Sequence, residues 1–191
     1  MIQIIISVDY EIYGNGNGSP KSHIVDPTKK MLEVMDKYKV PLTIFLETTE
    51  LMKFYQYDRV LVKELGYSPF NLIKKQLVSA FQRGHKVELH LHPQWIDTQF
   101  VEGSWKMKSD RRKITELSER QISKYISISK MFIENYVLEK YPEHNFFCLR
   151  STNMDFVEAP KALTSAMKKN NIRLHSYADF SNPKAMESGY W

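Results

Sequence analysis

Short apolar runs alternate with helical patterns along this chain, and that alternation constrains the fold more than any other feature. The predicted strands are 2–9, 41–47, 85–92, 145–150 and 171–177. The segments between them carry apolar residues at helical spacing, which predicts helices at 26–39, 70–84, 118–141 and 159–170. Strands that alternate with helices form a parallel sheet with right-handed crossovers. The sequence therefore predicts an α/β fold.

Several residues mark the expected helix boundaries. Asp26 is expected to cap a helix that has Pro27 in its first turn, and Gly84 is expected to end the next helix. Ser118 and Gln121 form a capping-box pair. The apolar face of the first helix is expected to contain Met31, Val34, Met35 and Tyr38.

Polar residues with catalytic or ligand chemistry follow the predicted strands. In parallel α/β folds, ligands bind outside the carboxyl ends of the strands. The residues at these ends are Asp9, Glu11, Glu47, His90, His92, Arg150 and His175. The sequence therefore predicts an active site along this edge.

The stretch "VELHLHPQW" contains a pair of histidines at a strand end. His90 and His92 are two residues apart, as are Asp9 and Glu11, so each pair can face one point. Two imidazoles and a carboxylate can hold zinc or another divalent metal with open positions for water and substrate. From the spacing alone, a strand end that faces solvent is an equal alternative.

Other site candidates also have a structural interpretation. Asp9 could form a turn at the end of its strand, and Arg150 could be half of a structural ion pair. Trp95 lies in the long connection 93–113, where it could stack on a sugar ring or anchor the loop. The glycine-rich loop 14–20 lacks the residues of a phosphate-binding loop and is interpreted as a loop beside the site.

Composition limits the class of protein. The 191 residues suffice for one domain, which is expected over 1–191. The net charge is +5, but the basic residues are scattered along the chain and are not interleaved with aromatic residues, so nucleic-acid binding is not expected. The lone Cys148 excludes an intramolecular disulfide, and its apolar neighbours favour a buried structural thiol. The apolar run near the start is too short for a membrane span, which predicts a cytoplasmic protein.

Four motifs occur in the order of a known family. "SVDYE", "VPLTIFLE", "GHKVELHLHP" and "FFCLR" resemble the polysaccharide deacetylase (NodB-homology) family, which is carbohydrate esterase family four, over nearly the whole chain. The resemblance implies a distorted parallel (β/α) barrel. It also implies metal-dependent hydrolysis of an N- or O-acetyl group on a sugar or glycan precursor.

The resemblance assigns roles to three residues. Asp9 matches the general base, His90 matches the first metal histidine, and Arg150 matches the arginine that orients the base.

Other positions depart from the pattern of the family. Tyr10 stands where a second aspartate ligand is expected, and Glu11 is the nearest carboxylate that could replace it. His92 follows His90 by two residues instead of four. The late strands of the family are not recognisable, so the barrel is expected to be shortened or incomplete at the C-terminus. His175 is a poor substitute for the general acid of those strands.

The leading hypothesis is a metal-dependent deacetylase. Zinc is the first choice of metal, with nickel, cobalt and manganese as alternatives. The expected roles are catalysis by Asp9 and Arg150, metal binding by Glu11, His90 and His92, and substrate binding by Tyr10 and Trp95. The alternatives are a carbohydrate-binding pseudoenzyme on the same fold and a hydrolase of another amide.

Overall fold

The computed structural model describes residues 4–107, 114–151 and 161–176. The strands are β1 (Ile6–Tyr10), β2 (Leu42–Glu47), β3 (Lys86–Leu91), β4 (Gln99–Val101), β5 (Ser104–Lys106), β6 (Cys148–Ser151) and β7 (Leu174–Ser176). The α-helices are α1 (Asp26–Tyr38), α2 (Thr48–Gln56), α3 (Asp58–Leu65), α4 (Pro69–Gln82), α5 (Glu119–Phe132) and α6 (Lys161–Lys169).

Five strands form one parallel sheet in the order β1-β2-β3-β6-β7. The predicted α/β class is confirmed, and each predicted strand overlaps one strand of this sheet. Within the described residues β1 and β7 are the two edges and do not pair with each other. The architecture is that of a distorted (β/α) barrel that is incomplete in this part of the chain.

Both faces of β2 and β3 are buried. Leu42, Ile44 and Leu46 share one face of β2, and Phe45 on the other face is buried as well. In β3 every residue after Lys86 is buried, so neither face of these strands meets water. This burial holds the carboxyl ends of β2 and β3 in fixed positions.

Two helices that the sequence does not predict follow β2 directly. The side chain of Glu47 caps α2 by accepting hydrogen bonds from the amides of Thr49 and Glu50 at 2.9 and 3.2 Å. Helix α3 then ends at Gly66, whose φ of 76° is the left-handed conformation that closes many helices. The connection after β3 also contains an antiparallel hairpin, β4–β5.

Some predicted helix boundaries and faces are wrong. Asp26 is not a cap, because a π-helical turn at Pro20–Val25 precedes α1 and gives Asp26 helical dihedral angles. Of the predicted face of α1, Met31 and Met35 pack against the core, whereas Val34 and Tyr38 are 49% and 67% exposed and Leu32 is buried instead. The start of the predicted helix 159–170 lies outside the described residues.

The helix predicted for 118–141 is shorter than expected. Its capping box at Ser118 and Gln121 is confirmed, but the α-helical part ends at Phe132 and continues as a π-helical turn at Ile133–Val137. No helix within 4–107, 114–151 or 161–176 is long and apolar enough to cross a membrane.

Candidate metal centre

The carboxyl ends of β1, β2 and β3 bring four potential ligands together. Glu47 and His90 are register partners at the ends of β2 and β3. Glu11 and His92 each lie one residue beyond a strand. One ligand atom from each of these four residues lies within 4.8 Å of the other three. Of the polar residues predicted to converge at this edge, these four, Glu47 included, lie together.

The two histidine rings face each other directly. Their Nε2 atoms are 2.8 Å apart, and the rings are close to perpendicular, at 83°. Only 2% of His90 and 9% of His92 is exposed. At this distance one Nε2 atom must donate a proton to the other, and a bound cation would take the place of that proton.

A backbone carbonyl fixes the orientation of His90. Its Nδ1 atom lies 3.0 Å from the carbonyl oxygen of Arg150 on the neighbouring strand β6. Since a carbonyl only accepts, Nδ1 carries the proton and Nε2 presents its lone pair to the centre. Metal-binding histidines are commonly oriented in this way.

Glu11 faces both histidines. Its carboxylate oxygens lie 3.1 Å from Nε2 of His92 and 3.6 Å from Nε2 of His90. The backbone after Glu11 is held by the buried Glu50, whose two carboxylate oxygens accept from the amide of Ile12 at 3.2 Å. This contact fixes the path of the chain where β1 has ended.

Glu47 is the residue that the sequence analysis did not assign as a ligand. It is 1% exposed, and its Oε1 atom accepts from the amides of Thr49 and Glu50 and from the hydroxyl of Thr49. Its position at the end of a predicted strand was the available signal. The pattern of the family directs attention to other positions, and sequence spacing gives no distance between Glu47 and His90.

An orphaned oxygen tests whether a cation fits this centre. The Oε2 atom of Glu47 is buried and has no hydrogen-bond partner in the described part of the chain, while the buried Oε2 atom of Glu11 lies 3.1 Å from Nε2 of His92. A buried carboxylate oxygen without a partner is costly, and metal coordination is one of the ways in which proteins satisfy it. Two imidazoles and two carboxylates therefore fit a divalent transition metal.

The pKa shifts of the residues at the centre also favour a bound cation. Burial raises the pKa of Glu47 to about 8, and the nearby Glu11 adds to this rise. Burial also raises the pKa of Glu50 well above its usual range, and lowers that of His92 well below its own. For His90, burial disfavours the charge, but the carboxylates of Glu11 and Glu47 outweigh it and raise the pKa. The site thus favours added positive charge.

Asp9 and Arg150 form an ion pair beside the centre. Nη1 of Arg150 donates to Oδ1 of Asp9 at 2.5 Å, and the Asp9 side chain stays 44% exposed. The guanidinium lies 3.8 Å above the ring of Phe45 and also donates to the hydroxyls of Ser7 and Ser176 at 2.9 and 3.0 Å. These contacts hold Arg150 rigidly, so that Asp9 is oriented yet open to solvent.

Tyr10 and Trp95 lie in the core, which corrects their interpretation as substrate contacts. Tyr10 is 1% exposed, and its hydroxyl donates to the side chain of Gln76 at 2.6 Å. Trp95 is fully buried and packs edge-on against Phe54 and Trp105. Tyr10 follows Asp9 directly, so the alternation of the strand turns its ring to the opposite face. Trp95 anchors the connection after β3, which was the other interpretation of that residue.

His175 lies on the edge strand β7 and not with the four ligands. Its Nε2 atom is 2.8 Å from the hydroxyl of Ser151. Burial lowers the pKa of His175 to about 4, so the ring is neutral at pH 7. A neutral imidazole cannot act as an imidazolium acid, which agrees with the expectation that His175 is a poor general acid.

No protein-family model and no curated protein sequence matches this chain. Solved structures that are similar to it include the following two. One is a family 4 carbohydrate esterase from Streptomyces lividans in complex with acetate, with a TM-score of 0.48 and 11% identity. The other is a mutant of a family 4 pseudoenzyme with restored enzymatic activity, with a TM-score of 0.47 and 13% identity.

Each match covers 90% of this chain, but the chain spans only 60% of the first solved chain and 42% of the second. The two proteins belong to carbohydrate esterase family four, the family that the sequence motifs resemble.

Proposed function

We propose that this chain is a metal-dependent hydrolase that removes an N- or O-acetyl group from a sugar or glycan precursor. The observation that carries the proposal is the convergence of Glu11, Glu47, His90 and His92, with ligand atoms within 4.8 Å of one another, beside the oriented carboxylate of Asp9. The acetylated sugar is inferred from the family resemblance of the motifs. A cytoplasmic location stays a prediction.

Glu11, His90 and His92 would hold the metal, as the sequence analysis predicts. A divalent metal bound there would polarise the acetyl carbonyl and lower the pKa of a water molecule. Zinc, nickel, cobalt and manganese are the candidates. The protein contributes a rigid and largely buried set of donors, because His90 is fixed through Nδ1 and Glu11 through the backbone that follows it.

Asp9 is proposed as the general base. One of its oxygens accepts from Arg150, and the carboxylate is exposed enough to meet water and substrate. The hydrogen bond from Arg150 holds the Asp9 carboxylate in one orientation, so that it can accept a proton from the attacking water. Arg150 acts as a positioning residue, because its contacts are with Asp9, Ser7, Ser176 and Phe45.

A carbohydrate-binding protein without hydrolytic activity is the second candidate. It is favoured by the neutral His175, since the residue nearest in kind to the general acid of the family cannot donate a proton as an imidazolium at pH 7. In this alternative the four-residue centre holds a metal or a sugar hydroxyl but does not catalyse hydrolysis of the acetyl group. A hydrolase of another amide would use the same centre on a different acyl group.

The first experiment measures metal content and acetate release together. The purified protein is incubated with a divalent metal and analysed for bound metal, and acetate release is followed with an N-acetylated sugar oligomer. We expect about one metal per chain, lost in His90→Ala but retained in His23→Ala, which changes an exposed histidine outside the cluster. Asp9→Asn should keep the metal and lose the activity.

The outcomes separate the candidates. Bound metal without acetate release from any acetylated sugar, but with measurable sugar binding, would favour the binding protein. Acetate release that survives in His90→Ala would contradict the proposed centre.

A further inference from the structure

The fourth member of the cluster makes this centre different from a three-ligand zinc site. We infer that Glu47 is itself a metal ligand, and that the centre therefore takes a metal with five or six ligands, such as Mn²⁺, Fe²⁺ or Co²⁺, in preference to tetrahedral zinc. This inference rests on the proposed function, because it concerns the metal of that same site.

Glu47 is built to present one oxygen to the centre. Its Oε1 atom caps helix α2 and accepts from Thr49 and Glu50, which fixes the carboxylate at the end of β2. Its Oε2 atom is buried and has no partner among the described residues. Since Oε1 is occupied, Oε2 is the atom available as a ligand, and the register places Glu47 beside His90.

Four protein ligands change the number of open positions. A catalytic zinc site has three protein ligands and keeps its fourth position for water, whereas four protein ligands close a tetrahedral site. With Glu11, Glu47, His90 and His92 all bound, a tetrahedral metal would have no position for water or for the acetyl oxygen. A metal of higher coordination number keeps one or two positions open, and only such a metal supports hydrolysis here.

The donor atoms favour the same group of metals. The cluster contains two imidazole nitrogens and two carboxylates. Imidazole suits iron, nickel, copper and zinc, while carboxylates suit manganese and magnesium, so a mixed set with no thiolate fits octahedral first-row ions. Cys148 does not add a thiolate ligand, because it is outside the cluster and burial raises the pKa of its thiol to about 12.

The test compares Glu47→Gln with a matched buried control. The glutamine keeps an oxygen that can cap α2 but replaces the second oxygen with an amide group that cannot bind a metal. The control is Glu88→Gln, which changes a buried glutamate of β3 that accepts from the amides of Phe147 and Cys148 through Oε2 and is not in the cluster. Circular dichroism verifies that each variant is folded.

Two readouts other than activity are measured. Calorimetric titration with Mn²⁺ should show at least about tenfold weaker binding in Glu47→Gln, since even outer-shell changes weaken metal sites on that scale. Titration with Co²⁺ should give the weak visible absorption of a five- or six-coordinate ion in the wild type and in Glu88→Gln. In Glu47→Gln it should give stronger absorption, as one ligand is lost.

The failures of the two proposals are distinguishable. If Glu47→Gln binds Mn²⁺ as tightly as the wild type, with the same Co²⁺ spectrum, while His90→Ala loses the metal, then the role of Glu47 is overturned and the metal site stands. Intense four-coordinate Co²⁺ absorption in the wild type would also overturn this inference alone. If the wild type binds none of Mn²⁺, Co²⁺ or Zn²⁺, both proposals fall.

Discussion

Each polar side chain at the centre is anchored by one atom and presents another. His90 is held through Nδ1 by a carbonyl of β6, and Glu47 is held through Oε1 by the first turn of α2. Nε2 of His90 faces His92 and Glu11, and Oε2 of Glu47 is left without a partner among the described residues. Anchors of this kind reduce the entropy lost when a ligand binds, so the centre is organised before a metal arrives.

His175 should make the stability of the fold depend on pH. Its pKa is lowered by burial to about 4, while an unfolded histidine titrates near 6.5. The unfolded chain therefore binds an extra proton as the pH falls from 6.5 to 4. The contribution of the neutral ring is fully present above pH 6.5 and is lost towards pH 4, by at most about 3 kcal/mol.

Urea unfolding at pH 7 and pH 4.5, in the presence of a chelator, measures this effect against His175→Gln, whose amide can still reach Ser151. His92 and His144 also have lowered pKa values, so the wild type and the variant share their contribution. The variant should lose less stability on acidification than the wild type does. Equal losses would show that His175 does not titrate in this range.

At the scale of elements, the glycine-rich loop 14–20 packs against the hairpin β4–β5. Gly16 has a φ of 78°, and a Cβ atom at this residue would lie 2.9 Å from Trp105 Cβ and from Met107 Cε. The methionine end can move, but the Cβ of Trp105 belongs to a packed aromatic cluster. The loop is also tied by the carbonyl of Gly14, which accepts from Gln94 at 2.8 Å.

We expect Gly16→Ala to destabilise the protein by about 2 kcal/mol or more, from the left-handed backbone and the close contacts together. Gly14→Ala is the control, since its Cβ would meet the nearest atom at an ordinary 3.6 Å. Its effect should stay within about 0.5 kcal/mol. Chemical denaturation measures both variants, and equal stability of the two would contradict the packing described for Gly16.

The sequence predicted the strands better than the helices. Segments such as 41–47 are apolar and β-branched with clear boundaries, and β2 (Leu42–Glu47) follows them closely. Helices α2 and α3 were missed because α2 begins at Thr48, directly after the strand, with no loop residues to mark a boundary. The predicted apolar face of α1 was right only in part, because Met31 and Met35 pack against the core whereas Val34 and Tyr38 are exposed.

The site could be predicted only in part. Strand periodicity is enough to place His90 and His92 at one point, and their Nε2 atoms meet at 2.8 Å. The same periodicity predicts that Tyr10 faces away from Asp9, because adjacent residues of a strand face opposite sides. Glu47 and the burial of Trp95 depend on packing between distant segments, which spacing along the chain does not contain.

At the scale of the whole molecule, the proposed metal links three strands that are far apart in sequence. Glu11 follows β1, Glu47 is the last residue of β2, and the histidines lie at the end of β3, so a bound metal should stabilise the folded sheet. Metal at a hundred times its Kd adds about 2.7 kcal/mol, which corresponds to a rise in Tm of roughly 5–10 °C in a protein of this size.

Thermal unfolding followed with saturating Mn²⁺ and with a chelator measures this rise. His90→Ala should unfold at the same temperature in both solutions, because the variant lacks the site. If the Tm of the wild type is the same with Mn²⁺ and with the chelator, the result would argue against a ligand set drawn from the three strands.

Arg150 contacts both the metal-ligand cluster and Asp9, through its backbone and its side chain respectively. Its carbonyl orients His90, whereas its guanidinium orients Asp9. A substitution at this position removes the guanidinium but cannot remove the carbonyl. Under the proposed function, a single substitution of Arg150 would therefore silence hydrolysis and leave the metal site in place, so that a catalyst would become a sugar-binding protein without passing through an unfolded or metal-free ancestor.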